Sequence, residues 1–335
     1  MSYGLPYQGS KNRIAKRLAE ALPAAPVLYD VFCGGCAVTH AAMLSGKYQR
    51  FVVNDRRGWL PDAFQKAIHG GYAHEDRWIS REDFERLKST DAYAAMCFSF
   101  GNDCQTYMYA RGLEPYKRAL HYAIFWRDFA PWAALCPETA DALAAGLAPI
   151  EDRKQRRVQA GHFIVESLKA QLAAGMLTPD ILDKPIYRRI RRLKDTPHRL
   201  QSLERLESLE SLESLERLQS LQSLERLERL QSLESLPDTL TAHSGDYREL
   251  RFDEPGIIYC DPPYKSTEGY GREFDFDDFY AWCLHQANPV YISEYTMPED
   301  LFVPVASFTV IRKMNTKKSN ICPEKIWRPR CQLDI

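Results

Sequence analysis

The chain has 335 residues, room for one large or two ordinary domains with a substantial core. Its 44 basic and 45 acidic side chains nearly cancel, which excludes a globally charged binder and leaves any charged partner to a local patch. No apolar segment has the form of a secretory signal or approaches the ~18 residues of a membrane span, and nine scattered cysteines fit a reducing compartment, so a soluble cytoplasmic protein is expected.

In chain order, "VLYDVF", "CGGCA", "VTHAAMLSG" and "RFVVND" read as strand, loop, helix and strand between Pro26 and Asp55, with Gly46 as a helix stop. From Gly58 to about His198 the pattern is mostly helical, broken at "FSFGNDCQ" and "AALCPETADALAAGLAP". A tract from Leu200 to Leu236 then places leucine at every third position. After Pro237, strands return in "LTAHSGDY", "GIIYC", "PVYISEY", "SFTVIRK" and "EKIWRP", with helical "FDDFYAWCLHQA" between the second and third. Strands and helices alternating at both ends predict an α/β fold with a mostly parallel sheet, the helical middle being an insertion.

In "YDVFCGGCAV" a buried strand ends in a glycine pair, which lets backbone approach a ligand at the carboxyl edge of the sheet. An ordinary tight strand–helix turn looks the same. Asp55, ending the second strand, stands where an acid can accept hydrogen bonds from both ribose hydroxyls. The Cys33/Cys36 pair has no second metal pair at suitable spacing, so loop packing is the reading and no metal is expected.

"IIYCDPPY" carries more information. A buried strand delivers Asp261, Pro262, Pro263 and Tyr264 at its carboxyl end. The prolines fix φ and remove N–H donors, leaving carbonyl acceptors. The Asp261 carboxylate and the Pro262 carbonyl can accept both hydrogens of an amine on an aromatic ring, and Tyr264 can stack on that ring. Two such acceptors localise the nitrogen lone pair for attack on an electrophilic methyl group, so positioning and electrostatics would supply most of the acceleration.

In these motifs and their order the chain resembles the DNA adenine-N6 methyltransferases of the Dam type over roughly residues 1–60 and 238–335. The resemblance implies a Rossmann-like methyltransferase fold and S-adenosyl-L-methionine as cofactor. "PYQGSK" is similar to the family's first motif, placing Tyr7, Gly9 and Lys11 at the cofactor's methionine end. Asp30, Phe32, Gly34 and Gly35 resemble the loop holding its amino acid moiety, Asp55 the ribose-binding acid, and Asp246 and Tyr247 of "SGDY" the adenine-holding pair. "DPPY" is the catalytic motif. Cys36 departs from the family, which usually has glycine or serine there. "SFGNDCQTYMYARG" and "ICPEKIWRPR" are similar, less specifically, to phage-borne members.

This chemistry makes double-stranded DNA the expected partner, because the N6 amine of a paired adenine is buried until the base is flipped. "KSTEGYGREF" reads either as a loop closing over that base or as a plain polar loop. Positive charge gathers in "RKQRR" and "YRRIRRLK", and residues 151–199 hold twelve Lys/Arg against six Asp/Glu. Phosphate contact and a solvated helix face are both open readings.

The expected domains are 1–57 with 238–335 (cofactor binding and catalysis), 58–199 (target recognition) and 200–237 (the leucine tract). The tract reads as helical, as a length-tolerant spacer, and as a possible self-association surface. Alternatives to adenine methylation are N4-cytosine methylation and, from another class, an interaction protein acting through the tract on a vestigial enzyme fold.

Overall fold

A computed structural model describes residues 2–176, 178, 180, 181, 184–187, 221–264, 274–311 and 321–333. Two compact units emerge, one of Met1–His74 with Arg229–Ile335, the other of Glu75–Glu228.

The first unit is built on a seven-stranded sheet: β1 Val27–Asp30, β2 Arg50–Asp55, β3 Leu240–Ser244, β4 Gly256–Cys260, β5 Val290–Glu294, β6 Phe302–Ile311 and β7 Ile321–Pro329. Their order is β3-β2-β1-β4-β5-β7-β6. The first five strands pair in parallel, and β7 runs antiparallel to both β5 and β6. This is a Rossmann-like methyltransferase fold. Strands β1, β4 and β5 are buried throughout, in keeping with their largely apolar sequences and a sheet covered on both faces. Tyr29, Ile258, Cys260, Ile292, Phe279 and Trp327 form much of one core layer.

Strand order reverses between β1 and β4. In open α/β sheets the crevice outside the carboxyl ends of the strands at such a reversal is where ligands bind. Asn54 braces that edge: its amide donates to the carbonyls of Val31 (3.1 Å) and Gly245 (3.2 Å), beyond the ends of β1 and β3.

The first unit reaches past the boundaries expected from sequence. Helix Trp59–Ile68 belongs to it, with Gln65 donating to the Leu240 carbonyl at 3.1 Å. So does the end of the leucine tract. Arg229 donates to the carbonyls of Gly4 (Nε, 2.7 Å) and Tyr3, and Gln231 to those of Tyr72 and Ala73.

The second unit is helical. Ser80 and Asp91 cap the helices Arg81–Leu87 and Ala92–Cys97 by accepting the N–H groups of Asp83 and Ala94. Helix Arg153–Ala173 opens with the basic run, and two of its arginines are committed inside the unit. Buried Arg156 donates to the carbonyls of Ile124, Ile150 and Glu151, while Arg157 pairs with Glu225 and Glu228. The open choice for these two side chains therefore falls to internal structure. The second basic run from Arg188 onward lies outside the described residues.

Of the leucine tract, residues 221–236 are described. Helix Gln222–Gln231 is followed by a 3₁₀ turn at Ser232–Ser235. Leu221, Leu224, Leu227, Leu230, Leu233 and Leu236 are all buried, so none is exposed for self-association. In an α-helix successive leucines of a three-residue period shift by about 60°, so three of them still share one face. The 3₁₀ turn then has three residues per turn, which keeps Leu233 and Leu236 in line. Along this stretch the tract is packed core rather than spacer. Leu230→Ala should cost about 2–5 kcal/mol in denaturant unfolding, as for other fully buried leucines. A loss no larger than that of Ser232→Ala would show that the leucine period carries no packing energy.

Candidate active site

The N-terminal segment lies against the glycine loop. Leu5 donates its N–H to the Gly35 carbonyl at 2.7 Å. Gly4 has φ +66°, and a Cβ there would stand 2.2 Å from the Gly35 oxygen, so only glycine fits this approach. Its N–H donates to Nδ1 of buried His40 at 2.9 Å. Burial, and then the charge of Arg229, lowers His40 to about 4, which keeps that nitrogen a neutral acceptor. The Tyr7 ring covers the loop: a Cβ on Gly34 would lie 3.7 Å from the Tyr7 Cε1. The Tyr7 hydroxyl accepts from Arg57 at 2.7 Å.

Asp55 accepts the Gly34 N–H at 2.9 Å through Oδ2 and the Arg57 N–H at 2.8 Å through Oδ1. It ties the end of β2 to the glycine loop, a bracing role that sequence alone did not suggest. Cys36 closes the loop with φ +54° and ψ +34° and is fully buried. The residue that departs from the family pattern thus holds a left-handed conformation that glycine adopts without strain. Cys33 and Cys36 are free thiols raised by burial. No group of His, Cys, Asp or Glu among the described residues is placed to hold a metal ion.

Asp30, at the end of β1, is 2 % exposed. Its Oδ2 accepts the Thr39 hydroxyl at 2.6 Å, while its buried Oδ1 has no hydrogen-bond partner among the described residues. Burial raises this carboxyl to about 7. A buried carboxylate oxygen beside a glycine cradle suits the ammonium group of an amino acid. Phe32 and Tyr247 meet at 5.1 Å between ring centroids within an aromatic cluster that includes Phe274 and Phe279. Asp246 caps the turn Tyr247–Glu249 and is held by Arg248, whose hydrogen bonds lower it to about 2. Gly9 is an exposed turn residue with φ +80° and no heavy atom near its absent Cβ.

The D-P-P-Y segment follows β4 directly. Lys11 Nζ lies 3.2 Å from Asp261 Oδ1 and 3.2 Å from Glu324 Oε1. It also donates to the Tyr264 hydroxyl and sits 4.1 Å from the centroid of that ring. The Tyr264 hydroxyl donates to Glu324, and Ser293 Oγ donates to the same oxygen at 2.8 Å. Burial alone would lower the Lys11 ammonium, but Asp261 and Glu324 together hold it above the ordinary lysine range. Burial raises Asp261 to about 6, with Lys11 opposing and Glu324 reinforcing the rise. Pro262 is buried and Pro263 half-buried between Asp261 and Tyr264.

Residues 7–122 match the model of the D12 class N6 adenine-specific DNA methyltransferase family. The match covers 116 of the 335 residues, about a third of the chain. The family's activity is S-adenosylmethionine-dependent methylation of adenine N6 in DNA, and the protein is an adenine-specific DNA methyltransferase. The matched segment holds the first motif, the glycine loop and Asp55; the D-P-P-Y motif lies beyond it. No curated protein matches the chain.

The fold therefore gathers Lys11, Asp261 and Tyr264 into one cluster, and Tyr7, Asp55 and the glycines into another. Glu324 and Ser293 were not foreseen. Their only trace is an acid and a hydroxyl at buried positions of β7 and β5. The "KSTEGYGREF" loop lies, but for Phe274, outside the described residues.

Asp30 gives a test with the sign fixed by its raised pKa. A carboxyl raised above its unfolded value of 3.8 stabilises below that value and loses the contribution as pH rises through about 7. Asp30→Asn should therefore raise the melting temperature at pH 8, with the gain shrinking toward pH 4, while weakening S-adenosylmethionine binding in calorimetry at pH 8. A variant less stable than wild type at pH 8 would contradict the burial cost; one with unchanged affinity would remove Asp30 from the cofactor site.

Proposed function

We propose that the cluster after β4 methylates an adenine flipped out of duplex DNA, with S-adenosyl-L-methionine bound along the carboxyl ends of β1, β2 and β3. The observation that carries this reading is the approach of Lys11 to Asp261 at 3.2 Å, which joins the two motifs of the resemblance in one site. The residues fit the cofactor. Asp30 Oδ1 takes the ammonium, the cradle under Tyr7 takes the amino acid backbone, and the Phe32–Tyr247 cluster takes the adenine ring. Asp55 keeps acceptor capacity for the ribose, since each carboxylate oxygen accepts one N–H and has a second lone pair. When bound, S-adenosylmethionine supplies an electrophilic methyl group.

Asp261 and the Pro262 carbonyl accept the two hydrogens of the exocyclic amine. This directs the nitrogen lone pair at the methyl carbon. As the N–C bond forms and the carbon–sulfur bond breaks, positive charge develops on nitrogen, which the Asp261 carboxylate stabilises. The amine then gives up one proton along its hydrogen bond to Asp261, leaving a neutral methylamine. Tyr264 packs the base with its ring, while its hydroxyl is already engaged by Lys11 and Glu324.

Asp261→Ala should leave the fold intact and reduce kcat at least tenfold, since comparable electrostatic groups are worth ~10²–10³. Mass spectrometry of nucleosides from methylated DNA reads the product. N4-methylcytosine in place of N6-methyladenine, or an active Asp261→Ala variant, would defeat the assignment.

A further inference from the structure

Glu324 comes from β7, far in sequence from the first motif and from D-P-P-Y, and is 2 % exposed. Its Oε1 receives three donors: Lys11 Nζ at 3.2 Å, Ser293 Oγ at 2.8 Å and the Tyr264 hydroxyl. A buried carboxylate needs such compensation. The cluster, however, holds one ammonium against two carboxylates. Lys11 is equidistant from Asp261 and Glu324, so neither takes its whole charge.

The division matters for the reaction. A carboxylate fully paired with an ammonium has less electron density to offer another donor. If Lys11 belonged to Asp261 alone, the hydrogen bond from the substrate amine would weaken, and so would stabilisation of the positive charge that develops there.

We propose that Glu324 is a positioning residue for methyl transfer, drawing Lys11 partly away from Asp261 so that Asp261 remains a strong acceptor for the substrate amine. It also fixes the Tyr264 ring through its hydroxyl. Ser293 tunes the balance: its hydrogen bond satisfies Glu324 and limits how far Glu324 draws Lys11. The inference rests on the adenine-methylating reading of this site.

The test is the pH profile of kcat for the full chain on duplex DNA, with S-adenosylmethionine affinity and melting temperature alongside. The titratable groups acting on Asp261 are Lys11 and Tyr264 in contact, Glu324 across Lys11, Tyr259 on β4 itself and Asp30 on neighbouring β1. In Glu324→Gln the like charge is gone and Lys11 turns wholly to Asp261. Plateau kcat should fall about 10- to 100-fold, the loss of one charge-assisted hydrogen bond. The acid limb should move down by about one unit. Cofactor affinity should stay within about twofold, a tolerance well inside one hydrogen bond.

Ser293→Ala should move the acid limb the opposite way, because an under-satisfied Glu324 draws Lys11 harder. A role in folding alone predicts no such opposition. A Glu324→Gln enzyme with wild-type kcat and acid limb overturns the proposal, as does a kcat loss with both limbs unmoved. If Glu324→Gln does not fold, Ser293→Ala decides: an upward limb supports the proposal and an unmoved one overturns it. Absence of N6-methyladenine from the wild-type reaction would overturn the parent reading, and this inference with it; the other failures all occur with wild type active.

Discussion

One ammonium between two carboxylates, Glu324 buried and Asp261 half-buried, is the constraint on which the site depends. Asp261 and Glu324 come from strands on either side of β5, and without Lys11 their mutual repulsion and desolvation would oppose folding of that edge of the sheet. Lys11 is supplied by a short turn near the N-terminus, Lys11–Arg13. The first motif and the last strands thus meet around a single charge. The cost of burying these groups shows in their raised carboxyl pKa values: Asp30 and Asp261 are both raised by burial, and in the proposed reaction each would face a group that carries or develops positive charge. Such sites trade stability for function.

Much of this was legible in the sequence because it follows local rules. Buried parallel strands write themselves as apolar runs, and "VLYD" and "GIIYC" became β1 and β4 where expected. The glycine pair and the D-P-P-Y segment stood at strand ends, where the fold class puts ligands. Glu324 escaped because a strand residue's environment depends on its neighbours across the sheet. Nothing in "CPEKIW" says that Ser293 and Lys11 will be there. Asp55 was assigned to the ribose from its place at a strand end; its bond to the Gly34 N–H depends on how the loop folds back, which spacing does not encode. The basic run misled for a related reason. Charge counts record how many arginines are present and not which carbonyls they reach, and Arg156 reaches three.

The leucine tract shows how a period can be read correctly and its meaning missed. A three-residue repeat cannot face one flat partner along a long α-helix, and the recurrence of the same words at the join of the insertion suggested a length-tolerant spacer. Over the ten residues of Gln222–Gln231 the drift is small enough to keep one buried face, and the 3₁₀ turn that follows halts it.

Between the leucines the tract carries arginines that do separate work. Arg226 donates to the carbonyls of Met96, Cys97 and Ser99, where helix Ala92–Cys97 has run out of N–H partners for its last carbonyls. Arg229 does the same for Tyr3 and Gly4, whose own N–H is taken by His40. Each guanidinium offers several donors in one plane, so a single side chain can satisfy carbonyls that no helix or strand will reach. The words "ERLERL" thus encode two things at once: leucines that fill the core and arginines that terminate backbone. A triplet repeat suits this arrangement over one short helix because leucine and arginine then recur on adjacent faces. An arbitrary helix of equal length in place of residues 221–236 would lose these contacts. Any replacement would have to bring both the apolar face and the two donor side chains into register with it.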